Sequence, residues 1–209
     1  MEKVQFFSER TGNFYQLIPT RTIPVLKING VPMHRYFRID PLMDTQLKIT
    51  AVKPRGNVLD VCTGLGYTAI YSAKKEYVEE VFTIEKDSEV LKIARMHEAS
   101  KELFENPKIK IINKNACLVV RDFDEESFDC IIHDPPTFVI SPELYHVEFY
   151  EELYRVLKKN GVLWHYAPEP GKMKSRGDDF VLKLILNLNK TGFKKLRKDV
   201  KSSGILAIK

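Results

Sequence analysis

At 209 residues, with 44% hydrophobic and 29% charged residues, the chain has length for one sizeable core and the composition of an ordinary globular protein. No apolar run reaches the roughly 20 residues of a membrane span, and the charged start MEKVQFFSER lacks the apolar stretch of a secretory signal, so a cytoplasmic protein without membrane attachment is expected. A net charge of +5 permits an anionic partner such as RNA without requiring one, and three cysteines without metal-type spacing (Cys62, Cys117, Cys130) argue against a disulfide framework and against a bound metal.

Residues 1–39 read as a small antiparallel sheet. Three β-type runs, Phe14 to Ile18, Ile23 to Ile28 and Val31 to Phe37, are punctuated by Pro19 and by the hairpin pair Asn29-Gly30. Asp40-Pro41 then opens a helix whose apolar positions are Leu42, Leu47, Ile49 and Val52. The richness in Lys, Glu and Ile points weakly to a thermophilic source.

From Asn57 onward strand and helix patterns alternate, which predicts a parallel sheet covered on both faces. The strands are expected at Val58 to Cys62, Glu80 to Ile84, Lys108 to Ile112, Phe128 to His133 and Val162 to Tyr166. Helices are expected from the glycine turn to about Lys75, from an Asp87 or Ser88 cap to about Phe104, around Cys117 to Arg121, from Pro142 to about Lys158, and over Phe180 to Asn189. Phe193 to Val200 and Gly204 to Ile208 should close the sheet as an antiparallel edge pair. His133 reads as a core histidine, and the basic runs Lys172 to Arg176 and Lys194 to Lys198 as solvated faces.

The stretch Asn57 to Ile70 joins a buried strand, an acid within it (Asp60), a glycine turn (Gly64, Gly66) and a helix start. Such a turn lets the backbone approach a ligand closely, and the helix start offers free N–H groups. Gly64-x-Gly66-x-x-Ala69 followed by Glu85 fits the dinucleotide fingerprint, which by itself does not distinguish a nicotinamide cofactor from S-adenosylmethionine. An acid just before the turn repels a pyrophosphate but suits an ammonium and a sulfonium, so Asp60 favours the second. Glu85 at a strand end can accept both ribose hydroxyls of either cofactor.

From Asn57 to the end the chain resembles the class I S-adenosylmethionine-dependent methyltransferases, through Val58-Leu-Asp-Val-Cys-Thr-Gly-Leu-Gly66, Glu85, Asn115-Ala116 and Asp134-Pro-Pro136, with Cys62 where that family usually has glycine. The resemblance implies an α/β fold: a Rossmann-like, doubly wound, mostly parallel seven-stranded sheet over 40–209, with residues 1–39 as a β extension. It implies S-adenosyl-L-methionine as cofactor, held by Asp60, Cys62, Thr63, Gly64, Gly66, Tyr67, Glu85, Lys86, Asn115, Ala116 and Asp134. Asp134 and the Pro135 carbonyl would orient an exocyclic amine, and Pro136, Phe138, His34 and Arg35 would line the substrate side. An RNA base, in tRNA or rRNA, is the expected acceptor.

A second resemblance leads elsewhere. The β-rich N-terminus and the order Asp134-Pro, Pro142-Glu143, Glu148-Phe-Tyr-Glu151 are similar to spermidine synthases, which would imply aminopropyl transfer from decarboxylated S-adenosylmethionine to a small amine, with an acidic cleft. The run Cys62-Thr-Gly-Leu-Gly66 lacks the glycine-rich character associated with those enzymes. Methyl transfer is therefore the main expectation and aminopropyl transfer the alternative. A non-catalytic nucleotide-binding module, and more distantly a NAD-dependent oxidoreductase, stay open.

Overall fold

In the computed structural model, residues 4–167 and 174–209 are described, the side chains of 174–179 excepted; residues 168–173, with the start of the basic run Lys172 to Arg176 and most of the loop before it, lie outside the described residues, and the rest of that run begins a helix. A four-stranded antiparallel sheet comes first: β1 (Gln5–Ser8), β2 (Asn13–Ile18), β3 (Val25–Ile28) and β4 (Val31–Pro32), in that spatial order. Asn29 and Gly30 both take positive φ, the geometry of a tight primed turn between β3 and β4. The expected run to Phe37 shrinks to two residues, followed by one further bond from the Met33 N–H to the Leu26 carbonyl at 2.8 Å. β1 was not foreseen; it pairs along all four of its residues with β2.

Next come α1 (Pro41–Val52), β5 (Gly56–Val61), α2 (Tyr67–Ala73), β6 (Val78–Ile84), α3 (Ser88–Arg95), α4 (Lys101–Glu105), β7 (Ile109–Ile112), α5 (Ala116–Asp122), β8 (Phe128–His133), α6 (Val147–Val156), β9 (Leu157–Tyr166), α7 (Lys174–Lys190), β10 (Lys194–Asp199) and β11 (Gly204–Ile208). The large sheet has the order β10-β11-β9-β8-β5-β6-β7. β9, β8, β5, β6 and β7 run parallel; β11 is antiparallel to both β9 and β10. This is the Rossmann-like α/β fold expected from the alternating pattern. Among the described residues no helix is long and apolar enough to cross a membrane.

Successive strand residues serve opposite faces. Leu59, Val61, Ile131, Leu163 and Ile205 pack under α5, α6 and α7. Val58, Cys130, Ile132, Trp164 and Leu206 pack under α1 to α4, and Tyr15, Leu17 and Leu26 of the small sheet join that second core. Tyr15 ties the small sheet to α3 by donating its hydroxyl to Asp87 at 2.5 Å, and Arg10 adds contacts to Asp87 and Glu89.

Three helices differ from expectation, and one of them, α7, simply starts six positions early, at Lys174 instead of Phe180. The helix after Asp87 breaks at Met96-His97: the His97 ring caps the Ala99 N–H locally, and Ser100 donates to the distant Leu65 carbonyl, so these partners replace helical ones. The helix after Pro142 starts as a 3₁₀ turn (Pro142–Tyr145) and stops at Val156, five positions before Gly161. β9 begins at Leu157 and passes Asn160, at φ 62, as an irregularity in its ladder with β8.

Candidate active site

β5 and β8 are neighbours, and the chain leaves β5 toward β6 and β7 on one side before returning through β8 to β9 on the other. That reversal opens a crevice beyond the carboxyl ends of β5 and β8, where ligands of such folds bind. Asp60 and Cys62–Gly66 stand at the end of β5, Glu85 at the end of β6, Asn115 after β7 and Asp134 after β8. The topology therefore brings the residues of the expected adenosine site to one edge.

Asp60 is fully buried. Thr83 donates to its Oδ2 at 2.6 Å and shares a 2.6 Å contact with Thr63, whereas among the described residues Oδ1 has no partner within hydrogen-bond geometry. Burial pushes its carboxyl up to about 7, against the opposing effect of the Thr83 and Thr68 hydroxyls. In the unfolded chain an aspartate titrates near 4, so between about 4 and 7 the folded state holds the extra proton; this favours folding at acid pH and is lost as pH rises through 7. Asp60→Asn is accordingly expected to exceed the parent in stability at pH 8 by at most about 4 kcal/mol, and to lose that advantage by pH 4. Urea unfolding at the two pH values checks it.

Cys62 takes φ 74, the left-handed conformation glycine adopts freely, which explains why glycine is usual there. Burial and the charge of Glu85 push its thiol well up, so it stays protonated. Gly64 has φ 55 with no atom near a would-be Cβ, leaving open space beside the turn, and its N–H donates to Glu85 Oε2 at 3.1 Å. Gly66 caps α2 at φ 81, and a Cβ there would stand 2.6 Å from Leu103. Gly66→Ala should cost about 1–3 kcal/mol through backbone strain, visible as a lower urea midpoint with unchanged slope.

Glu85 is held from two sides, Oε1 accepting from the Asp87 N–H at 3.0 Å and Oε2 from Gly64. Burial raises its pKa, and those two N–H groups oppose the rise. Lys86 spans to Ser141 Oγ at 3.4 Å and Glu143 Oε1 at 3.3 Å. Asn115 caps α5 by accepting from the Cys117 N–H, which leaves its amide nitrogen outward; Ala116 is buried behind it. Tyr67 is buried and donates to the Pro24 carbonyl, joining α2 to the small sheet.

On the other side of the crevice the structure adds residues that sequence reasoning missed. Lys48 of α1 donates to Asp134 Oδ2 at 2.6 Å and to Asp44 Oδ2 at 2.9 Å, and Arg35 donates to Asp44 Oδ1 at 2.6 Å. The available signal was the i,i+4 pair Asp44 and Lys48 on the face of α1 that also carries Thr45, Ile49 and Val52; the expected core positions Leu42 and Leu47 are only half-buried. Burial alone would lower the Lys48 pKa, but Asp134 and Asp44 outweigh it and raise it, so the ammonium is permanent. His34 stays neutral, lowered to about 4 by burial and by Lys48, and its Nδ1 accepts from the Leu26 N–H.

Pro135 is buried. Pro136 gives its carbonyl to the Tyr145 hydroxyl at 2.7 Å, and Phe138 is 45% exposed with its ring against Tyr145 and Phe180. His133 faces the opposite side from Asp134: its Nε2 meets the Leu144 carbonyl and its ring packs against His165. Among the described residues no group of His, Cys, Asp and Glu could hold a metal ion.

Comparison with known proteins adds family information. The spermine/spermidine synthase domain matches residues 46–175. An uncharacterised protein of Methanocaldococcus jannaschii is 44% identical over 200 residues, covering 95% of this chain and 68% of that protein. A polyamine aminopropyltransferase of Thermotoga maritima is 33% identical over 116 residues, covering 54% of this chain but only 39% of the enzyme, so the chain spans well under half of that relative's length. The crystal structure of spermidine synthase from Thermotoga maritima superposes with a TM-score of 0.75 at 20% identity over 98% of this chain and 70% of that one, a likeness of fold.

These matches overturn the main functional expectation. The family matched is that of the spermine/spermidine synthases, and S-adenosyl-L-methionine as methyl donor and RNA as acceptor lose their support. The physical reason is that Asp60, the glycine turn and Glu85 suit any adenosine sulfonium. None of them selects which carbon on sulfur is attacked.

Proposed function

The chain belongs to the spermine/spermidine synthase family, and on that premise we propose that it is an aminopropyltransferase, moving the aminopropyl group of decarboxylated S-adenosylmethionine to a small amine of the polyamine class. The observation that carries this reading is at Asp60. Its Oδ1 is buried with no hydrogen-bond partner among the described residues, and the turn that follows leaves open space beside Gly64; together these suit an ammonium. Lys48, the cation acting on Asp60, is already engaged by Asp44 and Asp134, so it is not available to receive a donor carboxylate. A donor that has an ammonium and no carboxylate matches both facts.

In this reading Glu85 accepts the ribose hydroxyls, Cys62 to Gly66 with Tyr67 shape the turn beneath the donor, Asn115 and Ala116 border adenine, and Lys86 bridges over the crevice. The donor supplies a sulfonium whose propyl carbon takes the amine lone pair as its carbon–sulfur bond breaks, releasing methylthioadenosine and one proton. Asp134, with the Pro135 carbonyl, accepts the N–H groups of the amine and aims its lone pair; positioning of this kind, more than a strong base, accelerates attack on a good electrophile. Tyr145 and Tyr166 border Asp134 with hydroxyls that burial keeps protonated. Pro136, Phe138, His34 and Arg35 line the acceptor side. Residues 1–39 are read as an extension of the transferase domain 40–209, on the strength of the Arg35–Asp44 contact.

Calorimetry with the two donors tests the reading. Decarboxylated S-adenosylmethionine is expected to bind at least about tenfold, or about 1.4 kcal/mol, tighter than the carboxylated form. Equal or tighter binding of the carboxylated form would refute it.

A further inference from the structure

Asp134 is not a bare carboxylate. Lys48 reaches it from α1 at 2.6 Å, holds Asp44 with a second N–H at 2.9 Å, and lies 5.4 Å from the centre of the Trp164 ring, with its side chain only 8% exposed. Arg35 also reaches Asp44. Cations and anions thus alternate along Arg35–Asp44–Lys48–Asp134. The other titratable groups acting on Asp134 are Asp60 and Cys62 from β5 and the turn after it, and Tyr145 and Tyr166 from the segments after β8 and β9. The cysteine and both tyrosines are held neutral by burial, and Asp60, a carboxylate above about pH 7, is the same with or without Lys48, so Lys48 is the group whose removal changes the charge an incoming amine meets.

We propose that Lys48 is the positioning residue of the acceptor site: it neutralises Asp134 through Oδ2, so that the acceptor amine is taken up as the free base against Oδ1. This rests on the aminopropyl-transfer reading and specifies the protonation state that reading requires. A solitary carboxylate at this spot would hold an amine as ammonium, which has no lone pair and does not attack a sulfonium. A carboxylate whose charge is already met by a buried lysine still accepts an N–H but gives no such preference for the cation. Asp134 keeps the side-chain exposure, 25%, that access to Oδ1 requires.

The test is the proton count on amine binding, read by calorimetry at pH 8 in buffers of different ionisation enthalpy, with 1,4-diaminobutane added to protein loaded with methylthioadenosine. The parent should release close to one proton per amine bound, Lys48→Arg should match it, and Lys48→Met should release close to none. In steady state the limb that reports amine deprotonation should move up by about one pH unit or more in Lys48→Met. A lysine with only a structural role would change affinity and leave the count alone, so equal counts in parent and Lys48→Met overturn the proposal. A count near zero in the parent overturns it without any variant, should Lys48→Met fail to fold. Binding with the expected count but no transfer from the decarboxylated donor would refute aminopropyl transfer and leave the role of Lys48 standing; transfer with an unchanged count would do the reverse.

Discussion

Asp134→Ala is expected to lower kcat/KM for aminopropyl transfer by about 10²–10⁴-fold while donor affinity stays within about tenfold. The carboxylate stands at the end of β8, across the switch point from Asp60, with its backbone N–H tied to the Val61 carbonyl at 3.3 Å. It is therefore fixed by the sheet, and its loss removes an aimed acceptor without moving the adenosine side. Lys48 keeps Asp44 as partner, so no buried ammonium is left unpaired and the fold should survive. Single-turnover rates with donor titration separate the two quantities. A large loss of donor affinity with an unchanged rate at saturation would remove Asp134 from the acceptor side.

Glu85→Ala should show the opposite pattern. Two ribose hydroxyls donating to a carboxylate are worth about 1.5–3 kcal/mol each, so donor Kd should rise by about 10²-fold or more, with kcat at saturating donor changed by less than about tenfold. The substitution also releases the Gly64 and Asp87 N–H groups that Glu85 now accepts, so the turn loses its brace together with the ligand contact. Glu85→Gln separates these effects: its amide oxygen still braces one N–H, and an intermediate Kd is expected. Equilibrium binding of methylthioadenosine measures both variants without relying on turnover. An unchanged Kd in Glu85→Ala would exclude the ribose role.

How much was legible before the structure depends on the range over which each feature is decided. β8 occupies the expected residues Phe128–His133, and the edge pair β10 and β11 forms as expected, because alternation and turn chemistry are local. The break after Arg95 and the early start of β9 escaped because Ser100 and Leu157 find partners in distant segments, with His97 capping the new turn locally. Asp60, Gly64, Gly66 and Glu85 were singled out from one short motif and its following strand, and the topology brings them together. Lys48 and Asp134 lie 86 positions apart, and no spacing in the chain announces that they meet. On the proposed reading, that contact governs how an amine is received. The legible motif suits any adenosine sulfonium, which methyl and aminopropyl transfer have in common, so it does not choose between them; the family match points away from methyl transfer.

The most direct measurement is product analysis by mass spectrometry, with purified protein given a small diamine and either decarboxylated or carboxylated S-adenosylmethionine. Aminopropyl transfer predicts methylthioadenosine and an aminopropylated amine from the decarboxylated donor alone. S-adenosylhomocysteine and a methylated product from the carboxylated donor, with no reaction of the decarboxylated one, would contradict it.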